Sequence, residues 1–327
     1  MKLSISRQKW PVLATLAVCL ILYAIACVRY DGFSSLSPFI NFFAGNTFLG
    51  VAAVGMTFVL LSGGIDLSVG AVIGCSSIMI ALLIQKAGWH PLAAMGLILL
   101  AGTALGATMG SLIHFYDLPP FLVTLAGMFF CRGLGLTIST ESVSITHKFY
   151  ADFLSDISLP LTIPGWGSAS ISLSLMIFVA VMIVAIWVSL MTRFGRNVYA
   201  IGGNENSSML MGLPVARTKV SIYAVSGFCS ALAGVVYTIS MSSGNAIACT
   251  GLELDAIAAV VVGGTLLSGG VGYMVGTLVG IMIFGVIRSI IDFQGNLSSW
   301  WTSIAVGALL LVFILLQKII QPKASRS

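Results

Sequence analysis

The sequence predicts an all-α, polytopic membrane protein of about ten transmembrane helices, with a short or broken eighth span and both termini cytoplasmic. Three observations carry that expectation. Hydrophobic residues make up 58% of the 327-residue chain and charged residues 8%, and the mean hydropathy is +1.07. Apolar runs of about 18 residues recur along the chain, the length a helix needs to cross hydrocarbon. Lys and Arg outnumber Asp and Glu 15 to 10, and they gather at both termini and in one interior interval, as cytoplasmic flanks do.

The expected spans are Pro11–Val28, Phe43–Leu61, Gly70–Gln85, Leu92–Ile113, Phe121–Ser139, Ile171–Leu190, Val220–Met241, Leu254–Leu267, Val271–Ile291 and Ser299–Gln317. Lys2, Arg7 and Lys9 precede the first run, and Ala24-Ile25-Ala26-Cys27 imitates a cleavage box. That run exceeds the apolar core of a signal peptide, so it is read as a span. Leu254–Leu267 opens on Asp255 and holds Gly263-Gly264; by length alone it also fits a re-entrant hairpin. Parity favours a crossing. The basic termini (Lys2, Arg7, Lys9 and Lys318, Lys323, Arg326) both belong inside, which demands an even count. Ten spans also place Arg193, Arg196, Arg217 and Lys219 inside, within a cytoplasmic loop at 191–219. Residues 140–170 then form a periplasmic loop, with Glu141, Asp152 and Asp156 against Lys148 and with Pro160 and Pro164. This composition suggests an irregular or partly helical loop. The whole chain, 1–327, reads as one membrane domain.

Polar residues inside apolar runs are the candidates for function. Asp66 and Ser68 lie in Ser62–Gly70 (SGGIDLSVG) between two spans. They border a translocation route or cap the next helix, and the cap is the preferred reading because both types rank high as N-caps. Glu253 and Asp255 open the eighth span, with Thr265 behind the glycine pair. Helix-dipole pairing explains the acids, as does hydrogen bonding to sugar hydroxyls at an outer mouth. Trp300 and Trp301 start the last span, either as interfacial anchors or as stacking faces for a sugar. Arg132 and Arg288 must pair or face water, and Glu141, Asp292 and unwound carbonyls are partners on offer. Leu60–Gly64 and Leu266–Gly270 both read LLSGG, as an internal repeat or as similar packing needs would produce. Gly102/Gly106/Gly110 and Gly272/Gly276/Gly280 have the spacing of close helix contacts.

Several chemistries are excluded. His90, His114 and His147 are scattered and no zinc-protease or Gly-x-Ser-x-Gly motif occurs, so no catalytic or metal-ligating residue is expected. A membrane enzyme would need a cluster that the chain does not offer. No Gly-Lys dipeptide exists, hence no phosphate-binding loop. Cys19, Cys27, Cys75, Cys131, Cys229 and Cys249 read as small buried hydrophobes rather than a disulfide framework. The basic residues carry no interleaved aromatics, so no nucleic-acid partner is expected.

Within the basic loop, Asn204 suits an N-cap and Glu205 the positive end of a short helix. Gly212 and Pro214 would end it after two turns. Met209, Leu210, Met211 and Leu213 then form an apolar knob beside Arg217 and Lys219. Such a knob fits a partner's groove, or packs on the protein's own cytoplasmic ends.

Ser62–Gly70, Leu125–Gly133 (LAGMFFCRG), Thr192–Asn204 (TRFGRNVYAIGGN) and Glu253–Gly272 (ELDAIAAVVVGGTLLSGGVG) resemble permease subunits of bacterial ABC importers for monosaccharides, the ribose-importer permease family. Glu141–His147 (ESVSITH) and Leu297–Gly307 (LSSWWTSIAVG) resemble one of the two permeases of the galactofuranose importer. The resemblance implies an inner-membrane complex in which this chain binds no cofactor. Separate cytoplasmic ATP-binding subunits use ATP and Mg, a periplasmic sugar-binding protein delivers the substrate, and a second permease completes the pair, a different chain in the galactofuranose-like case. It also implies that Asn204–Lys219 docks the ATPase. The competing expectation is a proton-coupled secondary sugar transporter using Asp66 or Asp255. Topology has a direct test. A reporter fused at Ser327 is expected to be cytoplasmic and one at Asp152 periplasmic; a periplasmic Ser327 would remove the eighth crossing.

Overall fold

Hydrocarbon offers a backbone amide no water to bond, so long apolar runs fold as helices that satisfy their own N–H and C=O groups. The computed structural model describes residues 10–154, 157–295, 298 and 300–320. Its helices in order are α1 (Trp10–Arg29), α2 (Leu36–Ala44), α3 (Thr47–Leu61), α4 (Val69–Gln85), α5 (Pro91–Phe115), α6 (Pro120–Ile138), α7 (Leu173–Met191), α8 (Arg193–Gly203), α9 (Glu205–Leu210), α10 (Val215–Met241), α11 (Leu252–Val262), α12 (Met274–Gln294) and α13 (Trp300–Ile320). Four short strands accompany them: β1 (Val143–Ser144), β2 (Ser158–Ile163), β3 (Gly167–Ser172) and β4 (Ser243–Gly244). The terminal residues Lys2, Arg7, Lys9, Lys323 and Arg326 lie outside the described residues, as do Asp156, Leu297 and Ser299.

Helices α5, α6, α7, α10 and α12 are long and apolar enough to cross a membrane, and α2–α3 makes a sixth if the bent pair is one span. The second expected span is thus a broken helix, bent by 53° at Gly45-Asn46. The expected eighth span is shorter than the apolar run. Helix α11 has 11 residues, about 16 Å, against a hydrocarbon core of about 30 Å. It stops because Gly263 closes it and Gly264 turns left-handed at φ 95°.

The strands correct the all-α expectation. β2 and β3 form an antiparallel hairpin in register Ser158↔Ser172 to Ile163↔Gly167, within the loop expected to be irregular or partly helical, which also holds a π-helical turn at Phe149–Leu154. Its turn uses Gly165 at φ 81°, a conformation glycine adopts freely. The tip docks on α2: Leu36 N–H donates to Trp166 O at 2.9 Å, Trp166 Nε1 donates to Ser34 O, and the Trp166 ring meets Phe39 at 5.5 Å. β1 pairs with β4, through Val143↔Gly244, tying this loop to the end of α10.

Helix α10 is the central post. Its contact with α5 runs along Gly102, Gly106 and Gly110: a methyl on Gly106 would overlap Tyr223 O, and one on Gly110 would lie 2.9 Å from Val220 Cα. On another face Gly55 of α3 leaves room for Ser226 and Cys229. Gly276 and Gly280 of α12 bring that helix against Gly263 and Ala259 of the α11 segment. Small residues thus set close backbone approach where lipid supplies no hydrophobic drive between helices. All six cysteines are free. Gly106→Ala is expected to cost about 1–3 kcal/mol of stability through overpacking, read as a lower melting temperature in detergent. Unchanged melting would contradict the close α5–α10 contact.

Candidate functional site

Helices that begin inside the fold, rather than at its ends, build the site. After α3, Gly63 turns at φ 81° and residues 64–68 form neither helix nor strand before α4 starts. Asp66 in this stretch is fully buried. Its Oδ1 accepts from Ser68 N–H at 2.9 Å and from Ser68 Oγ at 2.6 Å; its Oδ2 accepts from Ser226 Oγ at 2.6 Å. Ser226 lies near the midpoint of α10 (Val215–Met241), so Asp66 is deep in the bundle, not at a membrane face. Ser68 makes no side-chain cap bond. The capping expectation is therefore replaced: Asp66 bonds the residue that precedes the helix and clamps the stretch to α10. Thr124 of α6 adds a hydroxyl that accepts from Leu67 N–H at 3.2 Å.

The second interruption faces the first. Residues 245–251 leave α10 and run back along α4, with a methyl on Gly74 set to meet Ala248 O at 3.0 Å. Arg132 of α6 donates from Nη1 to Ala246 O at 2.8 Å and to Ala248 O at 3.3 Å, so its partners are the unwound carbonyls. Ser77 Oγ accepts from Asn245 N–H at 3.1 Å. Helix α11 then begins beside the start of α4: a methyl on Gly70 would overlap Glu253 Oε2. Glu253 is 9% exposed and its Oε2 has no hydrogen-bond partner. The positive end of α4 gives this carboxylate its electrostatic support. Glu253 was expected at the outer entrance; it is buried where two helix N-termini meet.

Asp255 turns the other way, into a polar cleft at the hairpin end of the bundle. Its larger part, about 520 Å³, is lined by Ser37, Asn41, Asn46, Arg288, Ser289 and Asp292 among others. A second part of about 240 Å³ shares Asn46, Arg288 and Asp292 and adds Asp255 and Thr302. The cleft exists because α2–α3 breaks at Gly45-Asn46; Arg288 Nη1 donates to the freed Gly45 O at 3.4 Å. The sequence offered Asp255, and Asp292 as a partner for an arginine, but not Asn41 or Asn46, whose signal is a polar residue within an apolar run. Trp300 and Trp301 are exposed and do not line this cleft. Thr265 is buried in the turn after α11, against Gly272. A larger cavity of about 640 Å³, between α3, α7 and α10, is lined mainly by Val, Phe, Ala and Leu and lacks the polar groups that would orient a polyol.

At the opposite end, α8 and α9 form the other candidate element. Thr192 Oγ1 caps α8 by accepting from Gly195 N–H at 3.2 Å. Asn204 Oδ1 caps α9 by accepting from Ser207 N–H at 2.8 Å, and Lys219 Nζ lies 2.6 Å from Glu205. Gly212 at φ 76° follows the end of the helix. Met209, Leu210 and Met211 are 54%, 89% and 68% exposed, and Arg217 is exposed beside them. The knob does not pack on the protein's own ends. Among the described residues no group of three or more His, Cys, Asp or Glu is placed to hold a metal.

Interrupted helices around buried carboxylates, with an unpartnered apolar helix at one end, define a membrane permease. The family described as branched-chain amino acid transport system / permease component matches residues 39–314, and the chain belongs to it. It is 48% identical to the inner membrane ABC transporter permease protein YjfF of Escherichia coli K12, over 95% of this chain and 93% of that one. Identity is 35% to the fructose import permease protein FruG of Bifidobacterium longum, over 96% and 92%, and 39% to the ribose import permease protein RbsC of Bacillus subtilis, over 82% and 81%. No solved structure matches the chain. It is an inner-membrane transport subunit, not an enzyme.

Asp66 gives a prediction. Asp66→Ala strands the Ser68 and Ser226 donors and is expected to lose about 1–3 kcal/mol, whereas Asp66→Asn keeps an acceptor and is expected to fold and support uptake. Loss of uptake in well-folded Asp66→Asn would instead show that transport needs the negative charge at this position.

Proposed function

We propose that this chain is the membrane-spanning subunit of an ATP-driven importer that receives a monosaccharide from a periplasmic binding protein and passes it inward by alternating access. The observation that carries this is α9. A helix of six residues is too short to be stable alone, yet Asn204, the Glu205–Lys219 ion pair and α8 hold it in place. What it presents to solvent is Met209, Leu210 and Met211, an apolar set suited to a groove in an ATP-binding subunit. Family membership favours the same partner, as the matched relatives are ABC permeases.

In this reading the chain crosses the membrane ten times, with α9 and both termini cytoplasmic and the hairpin periplasmic. A second permease subunit, a different chain, completes the translocation route. The polar cleft takes the sugar first: Asn41, Asn46, Asp255 and Asp292 offer acceptors and donors for hydroxyls, and Arg288 a fixed fork of donors. Glu253, Asp66 and Ser68 line the deeper step, where α4 and α11 meet; Thr265 follows, and Trp300 and Trp301 flank the outer rim. Named relatives import fructose and ribose, which supports a monosaccharide. Galactofuranose is the candidate on the strength of Glu141–His147 and Leu297–Gly307.

Replacing Met209 and Met211 together with Asp is expected to detach the ATP-binding subunits in a pull-down while membrane insertion persists. Unchanged co-purification and uptake would sink the docking role. The competing proton-coupled reading has a separate test in proteoliposomes holding this permease without ATPase: uptake driven by a pH gradient alone would overturn the importer.

A further inference from the structure

The two LLSGG segments, far apart in the chain, meet in space at the inner end of α8. Gly270 N–H donates to Leu61 O at 2.8 Å, which ties the turn after α11 to the end of α3. Gly202 of α8 fits between them: a methyl there would overlap Leu61 O and lie 2.5 Å from Gly270 N. A methyl on Gly269 would lie 2.7 Å from Gly63 N, and one on Gly270 would lie 2.8 Å from Gly203 Cα. Gly63, Gly269 and Gly270 all have positive φ, at 81°, 82° and 74°, a region that L side chains adopt at a cost. Tyr199, one turn earlier in α8, adds a hydroxyl that donates to Gly272 O at 2.9 Å. Burial and the nearby Tyr273 push this phenol's pKa up, so it keeps its proton for that bond.

Three backbones are therefore in contact with no side chain between them. What leaves this joint is informative. Two residues beyond Gly202, Asn204 caps α9. From Gly63 the non-helical stretch leads through Asp66 to α4, and the turn at Leu266–Gly270 follows α11. Helices α4 and α11 are the two whose N-termini meet at Gly70 and Glu253.

We propose that Gly63, Gly202, Gly269 and Gly270 form a transmission joint, in which movement of α9 is carried by α8 to both interrupted helices together. Side chains at the joint would act as compliant spacers; bare backbones in contact shift as a unit, because packed interfaces rearrange between discrete states rather than deform. These are positioning residues: none needs to touch the sugar. The inference rests on the proposed docking role of α9.

The test uses the assembled importer in proteoliposomes with radiolabelled D-ribose and D-fructose as probes, measuring uptake and ATP hydrolysis on the same sample. Gly202→Ala is expected to hydrolyse ATP within about twofold of wild type while uptake per ATP falls about tenfold or more, as small remote misplacements can cause. Gly203→Ala meets no atom within 4 Å and is expected to match wild type. Gly102→Ala meets Ala231 Cβ at 2.5 Å and Gly227 O at 2.9 Å, on the α5–α10 contact; it is expected to lower the yield and keep uptake per ATP. Wild-type uptake per ATP in Gly202→Ala would overturn the joint, as would an equal loss in Gly102→Ala. Should Gly202→Ala not assemble, spin labels at the exposed Asn206 of α9 and at Ser268 in the otherwise unaltered importer decide. Their separation is expected to hold within about 1–2 Å when ATP binds, and a slip of about one helical turn, 5.4 Å, would overturn the joint. If the Met209/Met211 variant leaves the ATPase bound, the docking role fails; if it detaches the ATPase while Gly202→Ala couples normally, only the joint fails.

Discussion

Backbone that leaves a helix within an apolar bundle must find its hydrogen bonds in the protein, because an unsatisfied peptide group there costs several kcal/mol. That constraint organises this permease. Each interruption has a dedicated partner drawn from a distant helix. Val262 O, at the end of α11, accepts from Thr15 Oγ1 at 2.5 Å; Ala246 O and Ala248 O accept from Arg132; Gly272 O accepts from Tyr199; Leu67 N–H donates to Thr124. The turn after α11 also closes on itself, through Leu266 N–H to Val271 O at 2.9 Å. Removing one of these partners exposes a specific peptide group rather than weakening the fold evenly.

The same constraint explains why Asp66 and Glu253 differ although both are buried acids near helix starts. Asp66 accepts three hydrogen bonds from two serines, and so is tied to both α4 and α10. Glu253 has an oxygen without a partner and leans on the positive end of α4. A tied group fixes a chain segment; an untied one keeps its acceptor capacity. Helix N-termini that end inside a membrane fold and face each other are a recurring way to build a substrate site.

Much of this was legible in the chain and part was not, for reasons that concern range. The apolar runs, the Asn204 cap and the stop at Gly212 are local features, and local physics shaped them as expected. The β2–β3 hairpin was missed because its residues are mostly exposed, so no alternating apolar pattern marks the strands, while Pro160 and Pro164 argue against them. Helix α8 was hidden inside a loop defined only by its charges. The polar cleft could not be read at all: Asn46, Asp255 and Arg288 come from α2–α3, α11 and α12, and only packing gathers them. The LLSGG repeat was visible, and its meaning was not. Glycine spacing advertises close approach without naming what approaches, and here each copy approaches the other.

Where the acids lie bears on the source of transport energy. A proton carrier must gain and lose its proton every cycle, and its hydrogen-bond partners must tolerate both forms. On Asp66 a proton would turn the charge-assisted bonds to Ser68 and Ser226 into neutral ones, which are about half as strong. Asp255 has no such clamp, but it lines the cleft with Asn46 and Arg288, where a carboxylate serves hydroxyl recognition as readily as proton transfer. No relay of titratable groups links the two within the cleft lining, which ends at Leu252, Phe284 and Leu49. Among the described residues that line the cleft, none therefore joins Asp255 to Asp66. On the proposed reading energy enters mechanically instead, through the exposed Met209–Met211 knob on α9, which Gly203 and the Asn204 cap join to Gly202 of α8.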